Sequence, residues 1–173
     1  LFAYKAAHYT PSTYDDLITF LNTMTSPFSI PSGGKPMQQL LAACTTNPDD
    51  VLVEILESSS LSHSAQNILI DFIGSYEKLG GEPFSDVYEQ VRALESTVNA
   101  SATLSYNDQR VILVVTAVSR YSLYHSCCED TDWKKSVGNI VAATAGALEN
   151  NNLAVYYPTV TSIAGLERIP MSN

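Results

Sequence analysis

The densest run of reactive side chains in this 173-residue chain is His125-Ser126-Cys127-Cys128-Glu129-Asp130-Thr131-Asp132. Imidazole, thiolate and carboxylate are the donors that bind zinc, and a thiol beside an imidazole is a nucleophile with its base. The spacing argues against both. A structural zinc site draws on two ligand pairs, and no second Cys or His pair stands elsewhere in the chain. Asp130 and Asp132 have the oxygen chemistry of a calcium site, yet no calcium loop with its Gly and closing Glu follows them. Acids just ahead of a helix are favoured by its dipole in any case. His8 and His63 stand alone, no Gly-x-Ser-x-Gly elbow occurs, and Gly33-Gly34-Lys35 lacks the spacing of a phosphate loop. No catalytic residue, metal ligand or cofactor is therefore assigned. An enzyme would have to use Cys127 or Cys128 with His125, and the chain is read as non-enzymatic.

The three cysteines leave one over after any pairing. In an oxidising compartment Cys44 would bridge to Cys127 or to Cys128, tying the early part of the chain to the late part. A vicinal Cys127–Cys128 bond would be strained. The competing reading is that Cys44, Cys127 and Cys128 are small buried thiols.

The elements that position these groups read as helices. Thr10-Pro11 has the order of an N-cap and first helical residue, and Tyr14, Leu17, Ile18 and Leu21 recur at helical spacing, predicting a helix over Pro11 to Met24. A Pro/Gly-rich connection over 26–36 ends it. Short helices are expected over Pro36 to Ala43 and after the cap-like Asn47-Pro48-Asp49-Asp50, then longer ones over Leu61 to Leu79 and from Glu82-Pro83 to about Val98. Ser105 and Asp108 have capping-box spacing, with Asp in place of the usual Glu or Gln, ahead of an apolar helix ending near Ser126. A last long helix is expected from Asp132 to Glu149. Within it Gly138, Ala142 and Gly146 fall four apart, and small residues at that spacing let a neighbouring helix approach closely. Residues 150–173 are weakly specified, with Leu153 to Tyr157 readable as extended and a short helix over Thr161 to Glu167. The expected fold is all-α: a single-domain helical bundle, residues 1–173, of six to eight helices with short loops.

Charged residues make up only 16% of the chain, against roughly 25% in average globular proteins. The acids outnumber the bases 18 to 9, and the net charge of −9 argues against nucleic acid and anionic membranes as partners. No apolar run approaches the roughly 20 residues of a membrane-spanning helix. With charge scarce, the polar surface falls to Ser, Thr, Asn and Tyr, as in Ser58-Ser59-Ser60 and Asn150-Asn151-Asn152. That habit points to an extracellular, periplasmic or cell-surface protein. The chain starts at Leu1, as it would after removal of a leader, and nothing near it has the order of a signal peptide.

The stretch from Leu61 to Ala147 resembles a group of uncharacterised exported helical proteins of Bacteroidetes-type bacteria. The likeness rests on Leu61-Ser62, the apolar run Val111 to Val118, the segment Ser119-Arg120-Tyr121-Ser122-Leu123-Tyr124, Trp133-Lys134-Lys135 and the Gly/Ala-rich Gly138 to Ala147. It departs at His125, Cys127 and Cys128, where an aromatic break is expected. The resemblance implies export and helices and carries no catalytic residue. The reading is a non-enzymatic exported or cell-surface protein that acts by protein–protein interaction, as an accessory subunit of an envelope or extracellular assembly. Amphipathic tyrosines suit interfaces, including Tyr4, Tyr9, Tyr14, Tyr156 and Tyr157, with Tyr121, Tyr124 and Trp133 the leading interface candidates. The alternative is a helical carrier of a small apolar or lipid ligand.

Overall fold

The computed structural model describes residues 11–24, 35–76, 82–126 and 133–167. Among them are eight helices and no strand: α1 (Tyr14–Met24), α2 (Lys35–Thr46), α3 (Pro48–Glu57), α4 (His63–Tyr76), α5 (Phe84–Ala100), α6 (Tyr106–Ser126), α7 (Trp133–Glu149) and α8 (Asn151–Glu167). The fold is all-α and bundle-like. One hydrophobic cluster draws side chains from every one of these helices.

The bundle is organised around α7, which packs against α2, α3, α4, α6 and α8. Residues 140–147 of α7 are all buried, so this helix has no solvent face over two turns. A helix apolar all round belongs in the interior. Its small side chains set how closely the neighbours come. A Cβ on Gly138 would stand 2.5 Å from the carbonyl oxygen of Cys44 on α2, so the two backbones touch there. A Cβ on Gly146 would collide with the carbonyl of Leu153 on α8. Ala142, midway between the two glycines, is fully buried.

The α7–α8 corner is made by a single residue. Asn150 N–H donates to the Gly146 carbonyl at 2.9 Å, and its Oδ1 accepts from the N–H groups of Asn152 and Leu153 at 3.0 and 3.1 Å. One asparagine thus closes α7 and caps α8, satisfying donors that a helix start leaves unpaired.

Over 151–167 the expectation of a weakly specified segment, with 153–157 extended, is corrected to one seventeen-residue helix. Its proline hides it. Pro158 lies inside the helix, where proline removes a backbone donor and in general costs about 3 kcal/mol. The buried residues Leu153, Tyr157, Val160 and Ala164 do recur at helical spacing and, with Tyr156 and Ile163, form the one face that α8 turns to the core. Burial against α7 offsets the proline.

Helix starts differ from expectation in detail. The first helix begins at Tyr14 and not Pro11, because Thr13 is the cap: its Oγ1 accepts from Asp16 N–H at 3.1 Å. Asn47 makes no side-chain bond to the backbone of α3 and pairs with the Asp50 carboxylate through its Nδ2. Ser62 caps α4, accepting from Ala65 N–H at 3.3 Å. The helix α2 runs on to Thr46, past the expected end at Ala43, and takes in residues 35–36 of the expected connection, while residues 26–34 lie outside the described residues.

The two glycine environments predict opposite outcomes in urea unfolding. Gly138→Ala should lower stability by about 2 kcal/mol, because the obstacle is the α2 backbone and cannot rotate away. Gly74→Ala, in a helix position where an added Cβ meets nothing within 4 Å, should raise it by about 0.5 to 1 kcal/mol. Equal effects at the two sites would contradict the close approach of α7 to α2.

Candidate functional site

The residues singled out from sequence fall in three places. Gly138, Ala142 and Gly146 are in the middle of the bundle. Cys127 and Cys128, the rest of the acidic step through Asp132, and His8 lie outside the described residues, as do the side chains of Tyr121, Tyr124, His125 and Trp133. Cys44 is a free thiol with no exposed surface. Burial pushes its pKa up to about 12 against the smaller opposing effect of a backbone hydrogen bond. A thiol that resists ionisation is neither a nucleophile nor a ready metal ligand. His63 is exposed at the start of α4, its Nδ1 3.3 Å from Gln66 Oε1. Among the described residues no group of three His, Cys, Asp or Glu side chains is placed to hold a metal ion.

Perturbed or buried ionisable groups mark functional sites only when their partners leave chemistry to be done. Asp108 is buried, and all its bonds are structural. Its Oδ2 accepts from the N–H (3.1 Å) and hydroxyl (2.8 Å) of Ser105, while Ser105 Oγ accepts from Asp108 N–H at 3.1 Å, completing a capping box. Its Oδ1 accepts from Ser62 N–H at 3.0 Å, at the start of α4. One carboxylate therefore ties together the starts of two helices. Burial pushes its pKa up, but the bonds from Ser62 and Ser105 outweigh that and hold the carboxyl below its ordinary value. Glu95 is likewise spoken for. It accepts from Arg120 Nε at 2.9 Å and from Arg92 Nη1 at 3.5 Å, and the Arg120 guanidinium lies 5.8 Å from the Tyr88 ring centre.

The tyrosines at the Tyr156-Tyr157 pair, read above as interface residues, are corrected to core residues. They are 6% and 3% exposed on α8. Burial raises both hydroxyl pKa values, and Tyr157 also donates to the Glu149 carboxylate at 2.9 Å across the corner. The Tyr156 hydroxyl is buried without a hydrogen-bond partner.

Among the described tyrosine side chains the one open to solvent is Tyr106, 83% exposed at the first position of α6. It is one of the residues lining an open groove of about 340 Å³. Leu113, Val114 and Ala117 supply the rest of its apolar lining, and Asn99, Gln109 and Arg110 the polar part. Gln109 is held by its Nε2 donating to the Ser101 carbonyl at 2.9 Å, which also fixes the α5–α6 connection. Arg110 is held from both sides: Nη1 donates to Asn151 Oδ1 on α8 at 2.6 Å, and Nη2 to Asn107 Oδ1 at 3.0 Å. Val155, 60% exposed, lies one turn beyond Asn151 on the same face of α8.

Tyr106, Arg110 and Val155 escaped the sequence reading. The sequence of α6 carries two apolar stripes and does not show which of them is core. Its core stripe of Val111, Ile112 and Val115 needs only one face, while on the other side Tyr106 and Ala117 are exposed and Leu113 and Val114 are partly buried against the edge of the core. Comparison with family models, with curated proteins and with solved structures gives no match.

Because the folded pKa of Asp108 is depressed, its contribution is full above the unfolded value, near 4, and is lost as pH falls through the folded value. Asp108→Asn should cost about 2 kcal/mol at pH 7, measured by urea unfolding, and its deficit should shrink toward about pH 2. A deficit independent of pH would rule out the charged carboxylate as its source. For Cys44, iodoacetamide at pH 8 should leave the native thiol unmodified and alkylate it in guanidinium. Native-state labelling at the rate of a free cysteine would contradict its burial.

Proposed function

We propose that this protein is a non-enzymatic helical module that docks on a protein partner, outside the cytoplasm, through the outer face of α6. The observation that carries the reading is the partly covered second stripe of that helix: an 83% exposed tyrosine beside an open groove lined by Leu113, Val114 and Ala117 together with the polar Asn99, Gln109 and Arg110. Exposed apolar surface rimmed by polar groups marks interaction sites, and tyrosine supplies contact area with little entropy to lose. The groove is open rather than enclosed, so it suits a side chain presented by another protein more than it suits a ligand that must be wrapped. The low charge and the Ser, Thr, Asn and Tyr content support the location outside the cell. The absence of an assignable catalytic cluster among the described residues leaves binding as the reading with the most support.

The test pairs baits in a pull-down from the source cells, read by quantitative mass spectrometry. The double variant Tyr106→Ala, Ala117→Arg alters two exposed positions and should keep the fold. At least one protein should be enriched on the wild type, lost on the double variant and kept on Val53→Ser, an exposed apolar position on α3. The same set of proteins on all three baits would overturn the groove as the docking site.

A further inference from the structure

We infer that the α6 groove recognises a carboxylate set beside an apolar side chain on a protein partner, with Arg110 as the group that reads the charge. The inference rests on the docking reading above and names the chemistry of the partner. Three arginines have described side chains. Arg92 and Arg120 both face Glu95. Arg110 alone of these has no acid: in a chain where acids outnumber bases two to one, its described partners are two neutral amide oxygens. The nearest acid in sequence, Asp108, is turned inward to Ser62 and Ser105.

Two amide oxygens on opposite sides orient the guanidinium without neutralising it. Arginine presents a planar fork of N–H donors matched to a carboxylate, and only part of that fork is spent on the two asparagines. Beside it, Tyr106, Leu113 and Val114 offer an apolar slot of a size for one or two side chains. A carboxylate next to an aromatic or aliphatic group satisfies both features at once. A polyanion such as nucleic acid, or an anionic lipid surface, would meet one cation on a body carrying −9 and be repelled. A single carboxylate on a protein segment meets the local cation without bringing a field of like charge.

The probe is N-acetyl-L-phenylalanine, which carries the carboxylate, against N-acetyl-L-phenylalaninamide, which does not. Both are titrated into the full chain and followed by amide chemical shifts. The acid should give saturable shifts at Tyr106, Arg110 and Val114, with the amide roughly tenfold weaker, and Arg110→Gln should weaken the acid by the same factor without changing the amide. Equal response to acid and amide overturns the carboxylate inference while leaving an apolar docking groove. No shift from either probe up to about 20 mM overturns the inference, and the docking reading then stands or falls on the pull-down. Arg110-dependent binding to phosphatidylserine vesicles, with no response to the acid, overturns it in favour of a lipid surface.

Discussion

Backbone contact between α7 and its neighbours is the constraint on which the other packing depends. At Gly138 the helix meets the carbonyl of Cys44, and at Gly146 it meets the carbonyl of Leu153. These two contacts lie about two turns apart on a helix whose residues 140–147 are all buried, so they set the distance of α2 and α8 from the centre before any larger side chain is placed. Small residues contribute little apolar area themselves. What they permit is the approach of Leu41, Leu52, Ile112 and Ile163 from the surrounding helices into one cluster. The core is therefore assembled by proximity to α7, and a side chain larger than hydrogen at either glycine pushes against peptide groups that have nowhere to move.

Tight helix contacts also explain where the hydroxyls go. Thr116, Ser119, Thr144 and Thr161 are buried, and each returns a hydrogen bond to a carbonyl of its own helix, as Ser119 does to Val115 at 2.8 Å and Thr144 to Ile140 at 2.9 Å. A hydroxyl satisfied within its own helix is small and demands nothing of the neighbour. Thr161 adds a bond across the interface, its hydroxyl 2.8 Å from Asn139 Oδ1. Part of the Ser and Thr content thus belongs to the interior, and the composition that suggests a charge-poor surface is shared between surface and core.

The fold was legible wherever local signals agreed with packing. The capping box at Ser105 and Asp108, the glycine spacing in α7 and the apolar stripes of α3 to α6 all follow rules of sequence and spacing. What could not be read is what depends on distant residues. Asp108 gives its own capping box to local reasoning, but its bond to Ser62, 46 positions away, does not announce itself. The helix α8 was hidden by Pro158, because local propensity condemns a segment that burial against α7 sustains. The groove was illegible for the opposite reason. A second apolar stripe on α6 looks from the sequence like more core, and only the fold shows that it is covered in part, with Tyr106 and Ala117 left exposed.

The placement of that groove follows from the same first turn of α6 that anchors the helix. At about 100° per residue, Tyr106 and Arg110 each lie about 200° from Asp108 around the axis. Asp108 therefore faces inward, locked to Ser62 and Ser105, while Tyr106 and Arg110 face out. An inward carboxylate that bridges two helix starts makes the outward residues part of a stiff platform. The Arg110–Asn151 bond then joins that platform to the α7–α8 corner, which Asn150 closes. A docking surface built there needs no ordering of loops on binding, and the entropy that a flexible loop would lose is already spent in folding.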